Sequence, residues 1–241
     1  MSKNMDVSKR KQSIIAGGLI SSAGIFFAKF IGLFYAVPYN SMLGTADNLA
    51  YYGVAFNIYS YLLNICTAGF PFAIATLIAK YSTRGDYQTS LLIKKLSASL
   101  MTCFGFGMMI IVILFSSPLA ALVMPDEGDS VKTMQMVLIL ISFALFFVPL
   151  LSSIRGFYQG LKHMEIYALS QVLEQVARVA FLLSASAIAV YALHTDQVWA
   201  LYFGVISTSI SAILAIMHLK LYDKKQMREL KRLAKTQEVA G

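Results

Sequence analysis

The sequence predicts an all-α membrane protein that crosses the bilayer about six times. Three observations carry this reading. Of the 241 residues, 58% are hydrophobic and only 13% are charged, whereas a soluble domain is about half apolar and about a quarter charged. The apolar residues form long uninterrupted runs, and about 20 of them match the thickness of the hydrocarbon core. The basic residues between the runs fall on alternate loops, as expected of a chain threaded repeatedly through a membrane.

The spans are expected at Ile14–Pro38, Asn48–Tyr81, Leu96–Val123, Val131–Ile154, Ile166–Leu193 and Val198–Tyr222. The first follows a basic start, MSKNMDVSKRK, but its apolar run is longer than a signal-peptide core, so it reads as an uncleaved span. The second would be near 50 Å long as one helix, at about 1.5 Å per residue. It must tilt, project from the bilayer or break near Gly69–Pro71. Cys66 and Cys103 both lie inside apolar runs and read as small packing residues, not as a disulfide.

Charge sets the orientation. Lys3, Lys9, Arg10 and Lys11, then Lys80, Arg84, Lys94 and Lys95, then Arg155 and Lys162, then Lys220 to Lys235 share one side. Asp47, then Asp126, Glu127, Asp129 and Lys132, then Asp196 share the other. The basic side is the cytoplasm by the positive-inside rule, so both termini are expected there. The net charge of +8 is thus a topology signal and gives no reason to invoke nucleic acid. Residues 1–13 read as a cytoplasmic N-terminus, 14–222 as a six-span lobe and 223–241 as a basic tail or linker. The tail is a weakly amphipathic helix candidate, either a solvated helix end or a segment lying on the anionic inner leaflet.

Polar residues at bilayer depth are costly and mark cavities or partners. On the first span Gly18, Ser22, Lys29, Gly32 and Ala36 share a face. Lys29 is read either as half of an ion pair or as an anion site facing a cavity. On the second span Gly53, Asn57, Ser60, Asn64, Thr67 and Pro71 form a stripe that suits a helix–helix seam or an aqueous chamber equally. On the fifth, Gln171, Glu174 and Arg178 share a face. Glu174 and Arg178 are four apart in the favourable order for an ion pair, so either they neutralise each other or they serve a substrate. The six-span classes with NPA pairs, or with arginine at every third position, are excluded by the residues present, and no HExxH, Walker or nucleophile–base pattern occurs. The chain reads as a carrier without cofactor or metal, and not as an enzyme.

Three stretches carry a family resemblance: FAKFIGLFYAVPYNSMLG (27–44), NICTAGFPFAIATLIAKYSTRGD (64–86) and SSIRGFYQGLKHMEIYALSQVLEQVARV (152–179). The chain resembles the N-terminal lobe of the multidrug/oligosaccharidyl-lipid/polysaccharide (MOP) exporters. Within that superfamily it is most similar to the MurJ-type lipid II flippases and the stage V sporulation protein B group. The third stretch is the most specific. The resemblance implies one six-helix lobe of a MATE/MurJ-like transporter. It implies translocation of a polyprenyl-pyrophosphate-linked saccharide by alternating access, for peptidoglycan or polysaccharide synthesis. Lys29, Asn57, Asn64, Glu174 and Arg178 then line the cavity and Arg155 contributes to a cytoplasmic gate. Lys29 stands where relatives commonly carry arginine. The implied partners are the lipid-linked oligosaccharide, membrane lipids, and a second six-span lobe or a second copy. A cation-coupled multidrug exporter of the same superfamily and a non-transporting assembly module are the alternatives.

Overall fold

The computed structural model describes Leu19, residues 22–124 and residues 128–236, apart from the side chains of 223–226. The expectations placed on the basic N-terminus, on Gly18, on Asp126 and Glu127, and on the last five residues lie outside the described residues. Within them every regular element is helical: α1 (22–34), α2 (Ala36–Leu43), α3 (Ala46–Thr67), α4 (Phe70–Thr83), α5 (Tyr87–Leu114), α6 (Ser116–Val123), α7 (Asp129–Gly160), α8 (Met164–Ala187) and α9 (Val198–Thr236). A single wide turn, Ile188–Ala192, extends α8. Six helical stretches are long and apolar enough to cross a membrane: Ser22–Leu43, Ala46–Thr83, Tyr87–Leu114, Asp129–Gly160, Met164–Ala192 and Val198–Tyr222. They correspond one for one to the six expected spans.

The second span breaks where the sequence indicates. Gly69 takes a left-handed conformation at φ +74°, which favours a residue without a side chain, and Pro71 falls in the first turn of α4. Thr45 caps α3 by accepting the Asn48 N–H at 3.2 Å, and Asp86 caps α5 by accepting the Thr89 N–H at 2.9 Å. The third span starts earlier and stops sooner than expected. It begins at Tyr87, ahead of Lys94 and Lys95, and turns at Phe115 into the short α6.

Helices α7 and α9 are the interior of the lobe. Half of the apolar window of α7 and 61% of that of α9 are buried, against 11–22% for the other four spans. Helix α7 touches α3, α4, α5, α6, α8 and α9. Close approach to α4 depends on Gly156 and Gly160, four apart and so on one face of α7. A side chain at Gly156 would lie 2.8 Å from the Pro71 carbonyl oxygen, and one at Gly160 would lie 2.6 Å from that of Ala75. The RGFYQG motif is therefore first a packing device, with Phe157 and Tyr158 fully buried beside its glycines.

Helix α9 runs without interruption to Thr236, some fourteen residues beyond its apolar window. Its extension docks on the lobe instead of lying free: Leu230 and Ala234 are buried, and the Gln88 side chain donates to the Ala234 carbonyl at 2.9 Å. Cys66 and Cys103 are both free thiols.

Candidate functional site

Helices α1 and α8 lie side by side and run in the same direction, because Gly24 meets Ala168, Gly32 meets Gln175, and Tyr35 meets Arg178. Small residues on α1 allow this contact, since a side chain at Gly24 would sit 3.0 Å from the Ala168 methyl group. At the seam a recess of about 170 Å³ is lined by Ile25, Ala28, Lys29, Arg155, Gln171, Glu174 and Gln175. By register Lys29 lies level with residue 173 of α8, roughly 14 Å along that helix from its start at about 1.5 Å per residue.

The recess has a defined charge arrangement. Arg155, reaching from α7, meets the Glu174 carboxylate at 2.8 Å. It also donates through Nε to the Ser170 hydroxyl at 2.7 Å and through a terminal nitrogen to the Ser170 carbonyl at 2.8 Å. Both side chains are largely buried, at 11% and 17% exposed. Of the two states left open for Glu174 and Arg178, the ion pair within α8 does not form. Glu174 is taken by Arg155. Geometry explains the outcome: a planar guanidinium arriving from a neighbouring helix engages three acceptors at once, which Arg178 on the same helix as Glu174 does not do.

Arg178 instead donates to the Gln175 side-chain amide oxygen Oε1 at 2.9 Å and lies 5.7 Å from the centre of the Tyr35 ring, while its Nε is buried without a partner among the described residues. Lys29 is exposed along the seam. Neither cation has a carboxylate partner among the described residues. An aromatic row continues from Tyr35 through Tyr39, Tyr52 and Phe56 to Tyr59. It is anchored where the Tyr39 hydroxyl donates to the Ala200 carbonyl at 3.1 Å, beside Gly204.

These features can be set against known proteins. Residues 14–238 match the family model described as polysaccharide biosynthesis protein. The chain belongs to this family, within the MOP exporter superfamily. Lipid II flippase MurJ of Bacillus subtilis (strain 168) is 32% identical over 223 residues, covering 90% of this chain and 40% of that protein. The solved structure of lipid II flippase MurJ in an inward closed conformation matches at a TM-score of 0.61 with 13% identity, over 87% of this chain and 43% of that one. An outward-facing multidrug resistance MATE transporter of the MOP superfamily matches at 0.64 with 16% identity, over 83% and 43%. The chain thus spans about two fifths of the length of these relatives. The fold is that of one lobe of a MATE/MurJ-like transporter, and the chain is a multi-pass membrane protein.

In this MOP lobe the expected site residues divide into groups. Lys29, Arg155 and Glu174 meet in one recess, and Arg178 lies one helical turn beyond it. Asn57 and Asn64 lie elsewhere, exposed on α3 with Gly53 and Ser60, and neither amide has a hydrogen-bond partner among the described residues. Gln175, Ser170 and Tyr35 are site residues that the sequence reading did not single out. Gln175 had a signal, because it lies four residues after Gln171 and three before Arg178 on the polar arc of α8. Ser170 had none, since a serine in an apolar helix ordinarily bonds its own backbone.

Proposed function

We propose that this chain forms a lobe of a flippase that moves a polyprenyl-pyrophosphate-linked saccharide, such as lipid II, across the cytoplasmic membrane by alternating access. In this reading both termini are cytoplasmic and the product serves peptidoglycan or polysaccharide synthesis. The observation that carries it is the pair of unneutralised cations within the spans: Lys29 and Arg178 have no carboxylate partner among the described residues, while Glu174 is committed to Arg155. A charge at bilayer depth without a counter-ion is costly and marks a cavity or a partner, and a site that keeps two of them suits a ligand that brings negative charge. Pyrophosphate supplies it, and Gln171 and Gln175 add amide groups along the same seam. A cation-binding exporter would need the opposite balance.

Exposure of Lys29 and of the Gly53–Asn57–Ser60–Asn64 face supports a chamber completed by a second lobe or a second copy of the chain. Six spans begin and end on one side, so a following lobe enters in the same orientation, and parallel repeats place their cavity at the interface. Arg155 then works as the clamp of α7 on α8 near the cytoplasmic end.

The test is exchange. This chain replaces the matching region of Bacillus subtilis MurJ in cells depleted of lipid II flippase activity. Growth is expected with the native chain and lost with Lys29→Ala at equal protein level. Failure of the native exchange, with the chimera correctly inserted, overturns the assignment to lipid II.

A further inference from the structure

The recess holds a feature that an anion site does not need for binding: a carboxylate. Its walls carry two cations, Lys29 and Arg155, and one acid, Glu174. Only Oε2 of Glu174 is held by Arg155. Oε1 has no hydrogen-bond partner among the described residues and is not one of the sequestered unpartnered atoms. The carboxylate thus belongs to the same small volume as the Lys29 ammonium, while the Arg155 guanidinium is engaged through all three of its nitrogens by Glu174 and Ser170.

We infer that Glu174 is a release residue, a fixed counter-charge that cancels Arg155, limits the recess to one net positive charge and keeps a bound diphosphate exchangeable. This rests on the flippase reading above. A carrier must bind strongly enough to select its ligand and weakly enough to let it go, as holds for ion pathways. A recess with two uncompensated cations beside Arg178 would hold a diphosphate too firmly. Removing Lys29 to weaken it would remove recognition as well. A carboxylate tied to the structural arginine lowers the field without occupying the ligand's place. The same contact holds α7 to α8, so the charge balance is built into the packing of the lobe.

The inference makes opposite predictions for neighbouring substitutions, which a purely structural role does not. The probes are inorganic pyrophosphate and farnesyl diphosphate, titrated into the full 241-residue chain in detergent, with thermal unfolding measured alongside. Glu174→Gln keeps the shape and one acceptor for Arg155 but raises the local charge by one. It is expected to tighten pyrophosphate binding about tenfold and slow its release, the order expected of a unit charge a few ångströms away in a water-filled recess whose dielectric approaches that of bulk water. Arg155→Gln is expected to weaken binding by a similar factor. The double variant Arg155→Gln/Glu174→Gln restores the charge count and is expected to return affinity to within about threefold of the native chain.

A clamp with only a packing role lowers stability in all three variants and never tightens binding. If the native chain binds pyrophosphate, loses it on Lys29→Gln, and Glu174→Gln binds no more tightly, the release role is wrong while the flippase reading stands. Should Glu174→Gln fail to fold, the double variant decides alone: weakening well beyond threefold in a folded protein rejects the charge balance. If the native chain binds neither probe, both readings fall. Farnesyl diphosphate binding without pyrophosphate binding shows that the isoprenoid, not the diphosphate, is recognised, and also overturns the release role.

Discussion

Replacing Gly160 by alanine should pry α4 from α7, and the structure sets the size of the effect. The new methyl carbon would lie 2.6 Å from the Ala75 carbonyl oxygen and 2.6 Å from the Ile78 Cβ. A carbon–oxygen contact is comfortable at about 3.3–3.6 Å, so the helices must part by roughly 0.7 Å or more. The obstacle on one side is backbone, which no rotamer change removes. Overpacking of this kind costs about 1–3 kcal/mol. Gly156→Ala, facing the Pro71 carbonyl at 2.8 Å, belongs in the same range, and the two together should fall short of the sum if α4 moves as a rigid rod, because one displacement relieves both clashes. The control is Gly107→Ala on α5, where no atom lies within 4 Å of the added carbon. There alanine relieves the helix penalty of glycine and should stabilise by up to about 1 kcal/mol. The assay is reversible unfolding of the purified chain in mixed micelles on titration with sodium dodecyl sulfate. Gly160→Ala equal to or more stable than the native chain would refute the argument, and so would a Gly107→Ala cost matching that of Gly160→Ala.

Three further outcomes are expected. Arg155→Met alone strands the Glu174 carboxylate at 17% exposure and should cost about 3–5 kcal/mol in the same unfolding assay, while Arg155→Met/Glu174→Met should lie within about 1 kcal/mol of the native chain or above it. Tyr39→Phe removes the hydrogen bond to the Ala200 carbonyl and should cost about 0.5–1.5 kcal/mol, since Ser186 also donates to that oxygen at 3.4 Å. Leu230→Asp with Ala234→Asp should undock the α9 extension, seen as faster tryptic cleavage at Arg228, Lys231 and Arg232 with the spans intact.

What could be read from the sequence follows from what hydropathy measures. The six spans and the break at Gly69–Pro71 were legible, because apolar run length and a glycine–proline pair act within the segment itself. Helix ends were not. Helix α5 begins at Tyr87 and α9 continues to Thr236, well outside the apolar runs. Hydropathy marks the thickness of the hydrocarbon slab, whereas a helix that leaves it can continue wherever another helix supports it. The break at Phe115 did leave a local trace, Ser116, Ser117 and Pro118, but a reading based on the length of the apolar run passes over it. Composition likewise placed Lys29, Glu174 and Arg178 at depth, but the partner of Glu174 came from a helix fifteen to twenty residues away in sequence. Local spacing on α8 could only offer Arg178.

The contrast between the three cations explains why position, more than charge, decides their roles. Arg155 bridges from α7 to α8, each of its three side-chain nitrogens makes a contact there, and it has become part of the scaffold. Arg178 is oriented by Gln175 below and Tyr35 beside it but keeps an unpartnered Nε. It is a charge held in place with donors to spare. Lys29 has neither constraint, and its flexible four-carbon stem and compact ammonium suit a group that must follow a moving ligand better than a planar fork would. From Lys29 to Tyr35, which marks the level of Arg178, is six residues, about 9 Å of helix at about 1.5 Å per residue. Both side chains are long enough to converge on one diphosphate placed between them. Lys29→Arg therefore should preserve binding but slow exchange, because a forked donor would hold the phosphate at two points. Pyrophosphate release rates compared between Lys29→Arg and the native chain check this. An unchanged release rate with unchanged affinity would mean that the mobility of Lys29 has no part in transport.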